Sequence, residues 1–237
     1  MDMSASVGSQ EKLDGYFGHV RQELVSLVDA AAQQILELGC GYGATGEALK
    51  LRQGASVIGL ELNPEAAAVA ETCLDEVVVA DLDSYRFPWA ADSFDAVVAG
   101  DIIEHLKDPW RVLHEVRRLL KPNGQVVISI PNIANHDIIE QLANGVFNYT
   151  DAGLLDRTHL HFFTRKTFAS TLMDAGLQVS GIYAIYDGAY ARLTEEVKCR
   201  GGFVSLQNVT VFCPTPEAIA DLMCYQWVFT ANPLKAS

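Results

Sequence analysis

The sequence predicts a doubly wound α/β fold, on three observations. Short aliphatic runs recur along the first half of the chain: Ile35-Leu36-Glu37-Leu38, Val57-Ile58-Gly59-Leu60, Val77-Val78-Val79 and Val126-Val127-Ile128. Helical periodicities or helix-start signals stand between them. A cluster of glycines, Gly39, Gly41 and Gly43, joins the first run to the first of these helices. Runs so short and so apolar suit strands buried on both faces, as in a parallel sheet, and the intervening helices supply the crossovers.

The elements follow in order. A helix is expected over about 16–32, with Val20, Leu24, Leu27 and Val28 on one face, and Tyr16 and Phe17 opening it. Strand one is Ile35 to Leu38, and the helix behind the glycines ends near Gln53-Gly54. Strand two, Ser56 to Leu60, stops at Glu61. Asn63-Pro64-Glu65 then starts a helix, with Asn as cap and Pro at the first helical position. Strand three runs from Glu76 to Ala80 and ends at Asp81, and strand four runs from Phe94 to Ala99 and ends at Gly100-Asp101. Asp108-Pro109 caps a helix that buries Val112, Leu113, Val116, Leu119 and Leu120. Lys121-Pro122-Asn123-Gly124 turns it into strand five, Gln125 to Ile130. About thirty residues intervene before the next clear helix, Thr164 to Ala175; a connection this long is usually functional. Strand six is Gln178 to Tyr186. Phe203 to Phe212 reads as the final strand and Ala218 to Phe229 as a last, core-facing helix.

Composition narrows the function. The 237 residues carry a formal charge of −13, which disfavours nucleic-acid backbones and anionic membrane surfaces. No apolar run reaches the roughly 18–20 residues of a membrane span, and Met1 to Gln10 lacks the features of a signal peptide. The expectation is a cytoplasmic protein. Cys40, Cys73, Cys199, Cys213 and Cys224 are odd in number and form no Cys-x-x-Cys, so they read as reduced thiols.

Gly39-x-Gly41-x-x-Ala44 formally satisfies a dinucleotide fingerprint, and Glu61 stands where an acid would hold a ribose. A nicotinamide cofactor is therefore open on this motif alone. The surrounding acids weigh against it. Glu37 lies at the end of strand one, Glu61 after strand two, Asp81 after strand three and Asp101 after strand four. Ligands of open α/β sheets bind at strand carboxyl ends. A ring of carboxylates there repels pyrophosphate and suits an ammonium, a sulfonium, ribose hydroxyls and an amino-purine.

In Glu37-Leu38-Gly39-Cys40-Gly41-Tyr42-Gly43, Gly59-Leu60-Glu61, Ala80-Asp81-Leu82-Asp83, Phe94-Asp95-Ala96-Val97 and Leu119-Leu120-Lys121-Pro122-Asn123-Gly124, the chain resembles the class I S-adenosylmethionine-dependent methyltransferases of the small-molecule type. These stretches occur in family order over Ile35 to Ile130. The resemblance implies a seven-stranded Rossmann-like sheet with helices on both faces and the last strand antiparallel. It implies a single domain over 1–237, with the N-terminal helix and an acceptor-pocket insertion at about 132–163. The cofactor would be S-adenosylmethionine, leaving as S-adenosylhomocysteine. Glu37, Gly39 and Gly41, with Gly43 in the same turn, would meet its methionine part. Glu61 would chelate the ribose, Leu62 would pack on the adenine, and Asp81, with Leu82 beside it, would bind the adenine amino group. Asp101 and Ile102 would lie near the methionine end. The partner is a small-molecule acceptor, with a homodimer open as the oligomeric state.

The stretch Asp156 to Thr164 carries His159 and His161, which would share one face of an extended segment. Either could take a proton from the acceptor, or tie the loop to the sheet. His105, after Glu104, is read first as fixing the strand-four loop and second as a base. Phe147, Tyr149, Phe162 and Phe163 would wall the pocket. No paired carboxylates stand at ligand spacing beside the histidines, so no metal is expected. The resemblance implies methyl transfer to an acceptor oxygen or nitrogen. Its rivals are a NAD(P)-dependent oxidoreductase and a non-catalytic cofactor-binding partner subunit, docked through Met223 to Phe229.

Overall fold

The structure is a computed structural model and describes residues 18–234. One sheet of seven strands organises it, in the order β3-β2-β1-β4-β5-β9-β6. Strands β1 (Gln34–Leu38), β2 (Ser56–Glu61), β3 (Glu76–Val79), β4 (Phe94–Gly100) and β5 (Leu120–Pro131) are mutually parallel. Strand β9 (Cys224–Pro233) is antiparallel to both β5 and β6 (Leu177–Tyr186), between which it lies. The predicted fold class is therefore the observed one.

Helices cover both faces. On one face, α4 (Pro109–Leu119) and α6 (Arg165–Asp174) pack Val112, Leu113, Val116, Phe168 and Leu172 against Leu36, Val97, Ile128 and Phe229. On the other, α1 (Gln22–Leu27) and α2 (Ala44–Gln53) bury Leu24, Val25 and Leu49 against Ile35, Val98 and Val127, with Ala70 of α3 (Pro64–Ala70) beside them. Each fully buried large side chain stabilises the fold by roughly 1.5–3 kcal/mol. The caps fit the predicted signals: Asn63 accepts from the N–H of Glu65, Asp108 from that of Arg111, and Thr164 from that of Thr167.

Three expectations are corrected. The first helix spans only Gln22–Leu27, not 16–32; Tyr16 and Phe17 lie outside the described residues. It stops because Val28 is extended and the Asp29 carboxylate accepts the N–H of Ala31 at 2.9 Å, an alternative to helical pairing. The final strand is not Phe203 to Phe212. Gly202–Ser205 (β7) and Thr210–Cys213 (β8) pair only with each other, with Phe203 and Phe212 mostly exposed. The seventh strand comes instead from the stretch read as a helix. Its alternation sends Trp227 and Phe229 to one face and Val228 to the other, so both faces are apolar, and helix α9 (Pro216–Met223) ends where it begins. Met223, Cys224, Trp227, Val228 and Phe229 are thus buried in the core rather than forming a docking surface.

Between β5 and α6 lies α5 (His136–Ala143) and a long loop; between β6 and β9 lie α7 (Gly188–Ala191), α8 (Glu195–Arg200), β7, β8 and α9. Both segments stand at the carboxyl end of the parallel strands and are tied together. Asn132 Nδ2 donates to the carbonyls of Asp221 and Cys224, both at 2.8 Å, and the Asn208 N–H donates to Glu140 at 2.8 Å. Arg165 holds the Asp221 carboxylate with two bonds, 2.6 and 3.0 Å.

Candidate functional site

The turn after β1 supplies the floor of a crevice. Gly39, Gly41 and Gly43 all have positive φ, of 68°, 55° and 82°. At Gly39 the requirement is also spatial: a Cβ would stand 2.0 Å from Cδ1 of Ile102, so the β4 loop rests on bare backbone. Gly43 caps α2 with no side-chain bond, leaving that helix's first N–H groups turned to the crevice.

Carboxylates line it. Glu37, on β1, is 5% exposed, and its Oε2 lacks a partner. Burial raises its pKa to about 8; the Gly46 N–H opposes this and the Glu61 charge adds to it. The folded chain therefore holds a proton that the unfolded chain has released between about pH 4.5 and 8. This carboxyl's stabilising contribution is complete below the lower value and is lost as pH rises through the upper one. Glu37→Gln is expected to raise the melting temperature at pH 8.5 by about 2–4 °C while weakening binding of a cationic ligand, read by thermal unfolding and by titration calorimetry.

Glu61, at the end of β2, accepts the N–H of Gly41 on Oε2 at 2.9 Å and that of Asn63 on Oε1 at 2.8 Å. Each oxygen keeps a free lone pair, enough for two vicinal hydroxyls. Leu62 beside it is 67% exposed, as a platform for a flat ring would be. Asp81 is exposed and accepts the N–H of Asp83 at 2.9 Å. Leu82 turns its side chain into the core.

Asp101 ends β4 with a strained φ of 55°. It pairs with Arg21, accepts from Gln226 and exchanges hydrogen bonds with Ser129 at 3.0 and 3.1 Å. Arg21 also donates to Gln226 at 2.6 Å and pairs with Glu23. None of Arg21, Ser129 and Gln226 was singled out from the sequence. The available signals were an arginine on the apolar side of the first helix and a glutamine inside an apolar run.

The second constellation is built on the 3-10 turn Ile103–His105. The Glu104 side chain is 1% exposed and neither carboxylate oxygen has a partner. Burial first, then the charge of Asp101, push its pKa well above the carboxylate range. Its backbone carbonyl accepts the N–H groups of both Leu160 (2.8 Å) and His161 (3.0 Å). Two successive donors on one carbonyl demand a turn, so the segment is not extended. His159 and His161 accordingly do not share a face. His159 is buried, 4.8 Å from His105 ring to ring, with Nδ1 3.3 Å from the Leu154 carbonyl. His105 Nδ1 lies 3.2 Å from the Thr158 carbonyl. A carbonyl only accepts, so Nδ1 carries the proton in each ring and Nε2 is left as an acceptor. His161 packs on Trp110 at 5.1 Å, with Nε2 3.4 Å from the Lys107 carbonyl. Desolvation, with the neighbouring His105, lowers the His159 pKa below the usual imidazole range.

Phe147, Tyr149 and Phe162 form an aromatic group, with centroids 5.5–6.4 Å apart, and Phe162 also meets the His159 ring at 6.2 Å. Phe163 is not part of this wall; it packs into the core on Phe168 at 5.1 Å. Donor atoms of Glu104, His105 and His159 lie within 4.8 Å of one another, an approach the sequence spacing concealed. Two open grooves of about 520 and 610 Å³ lie at the opposite end of the sheet, around Asn123 and Asn232, and contain none of these groups.

A buried carboxyl with one unpartnered oxygen, a glycine cradle and a carboxylate with free lone pairs at the ends of β1 and β2 fit S-adenosylmethionine, and together with the strand order they define a methyltransferase. Comparison agrees. Residues 36–128 match the profile of the family described as Methyltransferase domain. A ubiquinone biosynthesis O-methyltransferase of Xanthomonas oryzae pv. oryzae is 36% identical over 182 residues, covering 69% of this chain and 70% of that one. One of Pseudomonas syringae pv. tomato is 30% identical over 177 residues, covering 71% and 73%. The fold matches a methyltransferase of Archaeoglobus fulgidus (TM-score 0.65, 18% identity, 94% and 99% covered). It also matches a structure of the Haloferax volcanii Trm112 activator with a putative methyltransferase (0.64, 18%, 98% and 96%). The chain belongs to the class I S-adenosylmethionine-dependent methyltransferases. It is an enzyme of the small-molecule type with S-adenosylmethionine as methyl donor, and neither the nicotinamide nor the non-catalytic reading is favoured.

Proposed function

We propose that this enzyme methylates an oxygen of a small ring of the phenol or quinol kind, with His159 as general base. The observation that carries the reading is the His159 imidazole, buried against Phe162 and His105 with Nδ1 committed to a carbonyl. The names of the relatives, which are O-methyltransferases of ubiquinone biosynthesis, support oxygen over nitrogen.

Bound S-adenosylmethionine supplies an electrophilic methyl group. The chain does the rest. Glu37 and the Gly39–Gly43 turn hold the ammonium end, Asp101 and Ile102 border it, and Arg21 is placed to meet the carboxylate. Glu61 takes the ribose hydroxyls, Leu62 the adenine face and Asp81 its amino group. Phe147, Tyr149 and Phe162 exclude water from the acceptor. His159 Nε2 accepts the acceptor proton, His105 buttresses it, and His161 ties the loop to Lys107. Most of the rate comes from alignment and desolvation, with the base adding to it. Residues 132–163 serve as the acceptor-pocket insertion of one domain. Five free thiols, and no helix among the described residues long and apolar enough to cross a membrane, support a cytoplasmic setting.

Titration calorimetry and a mass-spectrometric methylation assay with simple phenols test this. Binding of S-adenosylmethionine without NAD binding, and a gain of one methyl on a phenol oxygen, are the expected results; methylation of amines alone overturns the oxygen assignment. Because His159 works as the neutral imidazole, kcat/KM is expected to be flat at neutral and alkaline pH and to fall on the acid side with an apparent pKa below that of a free imidazole. An acid limb centred at or above the free-imidazole value contradicts it.

A further inference from the structure

β9 departs from regular pairing at the site end of the sheet. On β6, Tyr186 opposes Cys224 while the adjacent Ile185 opposes Gln226. Tyr225 is the extra residue, a β-bulge, and bulges re-aim side chains beside active sites. Its backbone carbonyl is accounted for by the Asn132 N–H at 3.1 Å. Its side chain is not. The residue is 37% exposed and its hydroxyl makes no hydrogen bond among the described residues.

That hydroxyl lies against the acceptor loop. A Cβ placed on Gly153 would stand 3.0 Å from it, and Gly153 has a φ of 87° and no side chain to intrude. The next residue, Leu154, offers the carbonyl that orients His159. Phenol and candidate base therefore flank the same two residues of the loop. The charge of Asp101 reaches both groups. Burial, then the charges of Asp101, Asp187 and Asp137, raise the Tyr225 pKa, so the phenol stays a neutral donor. A phenylalanine would fill the same space, since the hydroxyl gives the fold no bond.

We propose that Tyr225 is an acceptor-binding residue: its hydroxyl donates to an oxygen of the acceptor ring and holds the ring against the Gly153-Leu154 loop, with the reacting hydroxyl toward His159. The proposal rests on the oxygen-acceptor reading above. It adds a contact from β9, whereas the donor is held from the ends of β1, β2, β3 and β4.

The test uses the full chain, with catechol as acceptor probe, comparing wild type with Tyr225→Phe. KM for catechol is expected to rise about five- to tenfold, the loss of one neutral hydrogen bond, with kcat changed less than about twofold. S-adenosylhomocysteine affinity and the melting temperature should be unchanged. Equal KM values in the two proteins overturn the Tyr225 assignment alone. Loss of S-adenosylhomocysteine affinity in parallel with KM overturns it in favour of a structural role. A wild-type enzyme that binds S-adenosylmethionine but leaves catechol unmethylated overturns the oxygen-acceptor reading and this proposal with it.

Discussion

Glu61→Ala is expected to weaken S-adenosylmethionine binding by about a hundredfold or more, since two charge-assisted hydrogen bonds to the ribose are lost together. The geometry adds a second route to the same result. Glu61 also holds the N–H groups of Gly41 and Asn63, so its removal loosens the glycine turn and the start of α3. Glu61→Gln removes less at once. The amide keeps the size and one of the two acceptor oxygens, so only one of the Gly41 and Asn63 N–H groups keeps its partner, while the charge is lost. Calorimetry should place the glutamine variant between wild type and alanine. Affinity unchanged in both variants would break the ribose assignment, and with it the reading of the crevice.

His159→Ala should lower kcat by about a hundredfold while leaving S-adenosylmethionine affinity within a factor of about two, the range for loss of a general base. His161→Ala should change kcat far less. The two residues are close in sequence but are used differently: His159 is buried against His105 and Phe162, and His161 is set outward on Trp110. Single-turnover kinetics would read the chemical step directly. An equal loss in both variants would mean that the loop, rather than the imidazole of His159, is what matters. Loss of cofactor affinity in His159→Ala would mean the same.

Much of the crevice at the ends of β1 and β2 was legible in the sequence. Glu37, Gly39, Gly41, Gly43 and Glu61 lie within one strand–turn–helix–strand unit, where hydrophobic period, glycine conformation and helix caps are local properties of the chain. Leu82 shows the limit of such reading: a residue after a strand end can face crevice or core, and its side chain is buried in the core cluster. The acceptor side was less legible. His159 and His161 were treated as one face because an extended segment was assumed; the Glu104 carbonyl turns the segment instead. Glu104 itself read as half of a dipeptide pair, and its complete burial is invisible in a sequence that surrounds it with ordinary loop residues.

The seventh strand marks the same boundary. Cys224 to Pro233 has an apolar content that fits a buried helix as well as a two-sided strand, and periodicity alone does not separate them. Pairing does: β5 and β6 leave a gap one strand wide, and only a strand satisfies the backbone groups on both edges.

By itself the sequence determined the order of strands from β1 to β5 with the helices between them, the glycine turn and the carboxylates at the strand ends, because each of these depends on neighbours a few residues away. Only the tertiary structure decided that Arg21 meets Asp101, 80 residues on, that Gln226 meets Asp101 from 125 residues away, and that Glu104 lies beside His159. Those contacts follow from strand register and from which side chains burial forces together, and no local pattern carries that information.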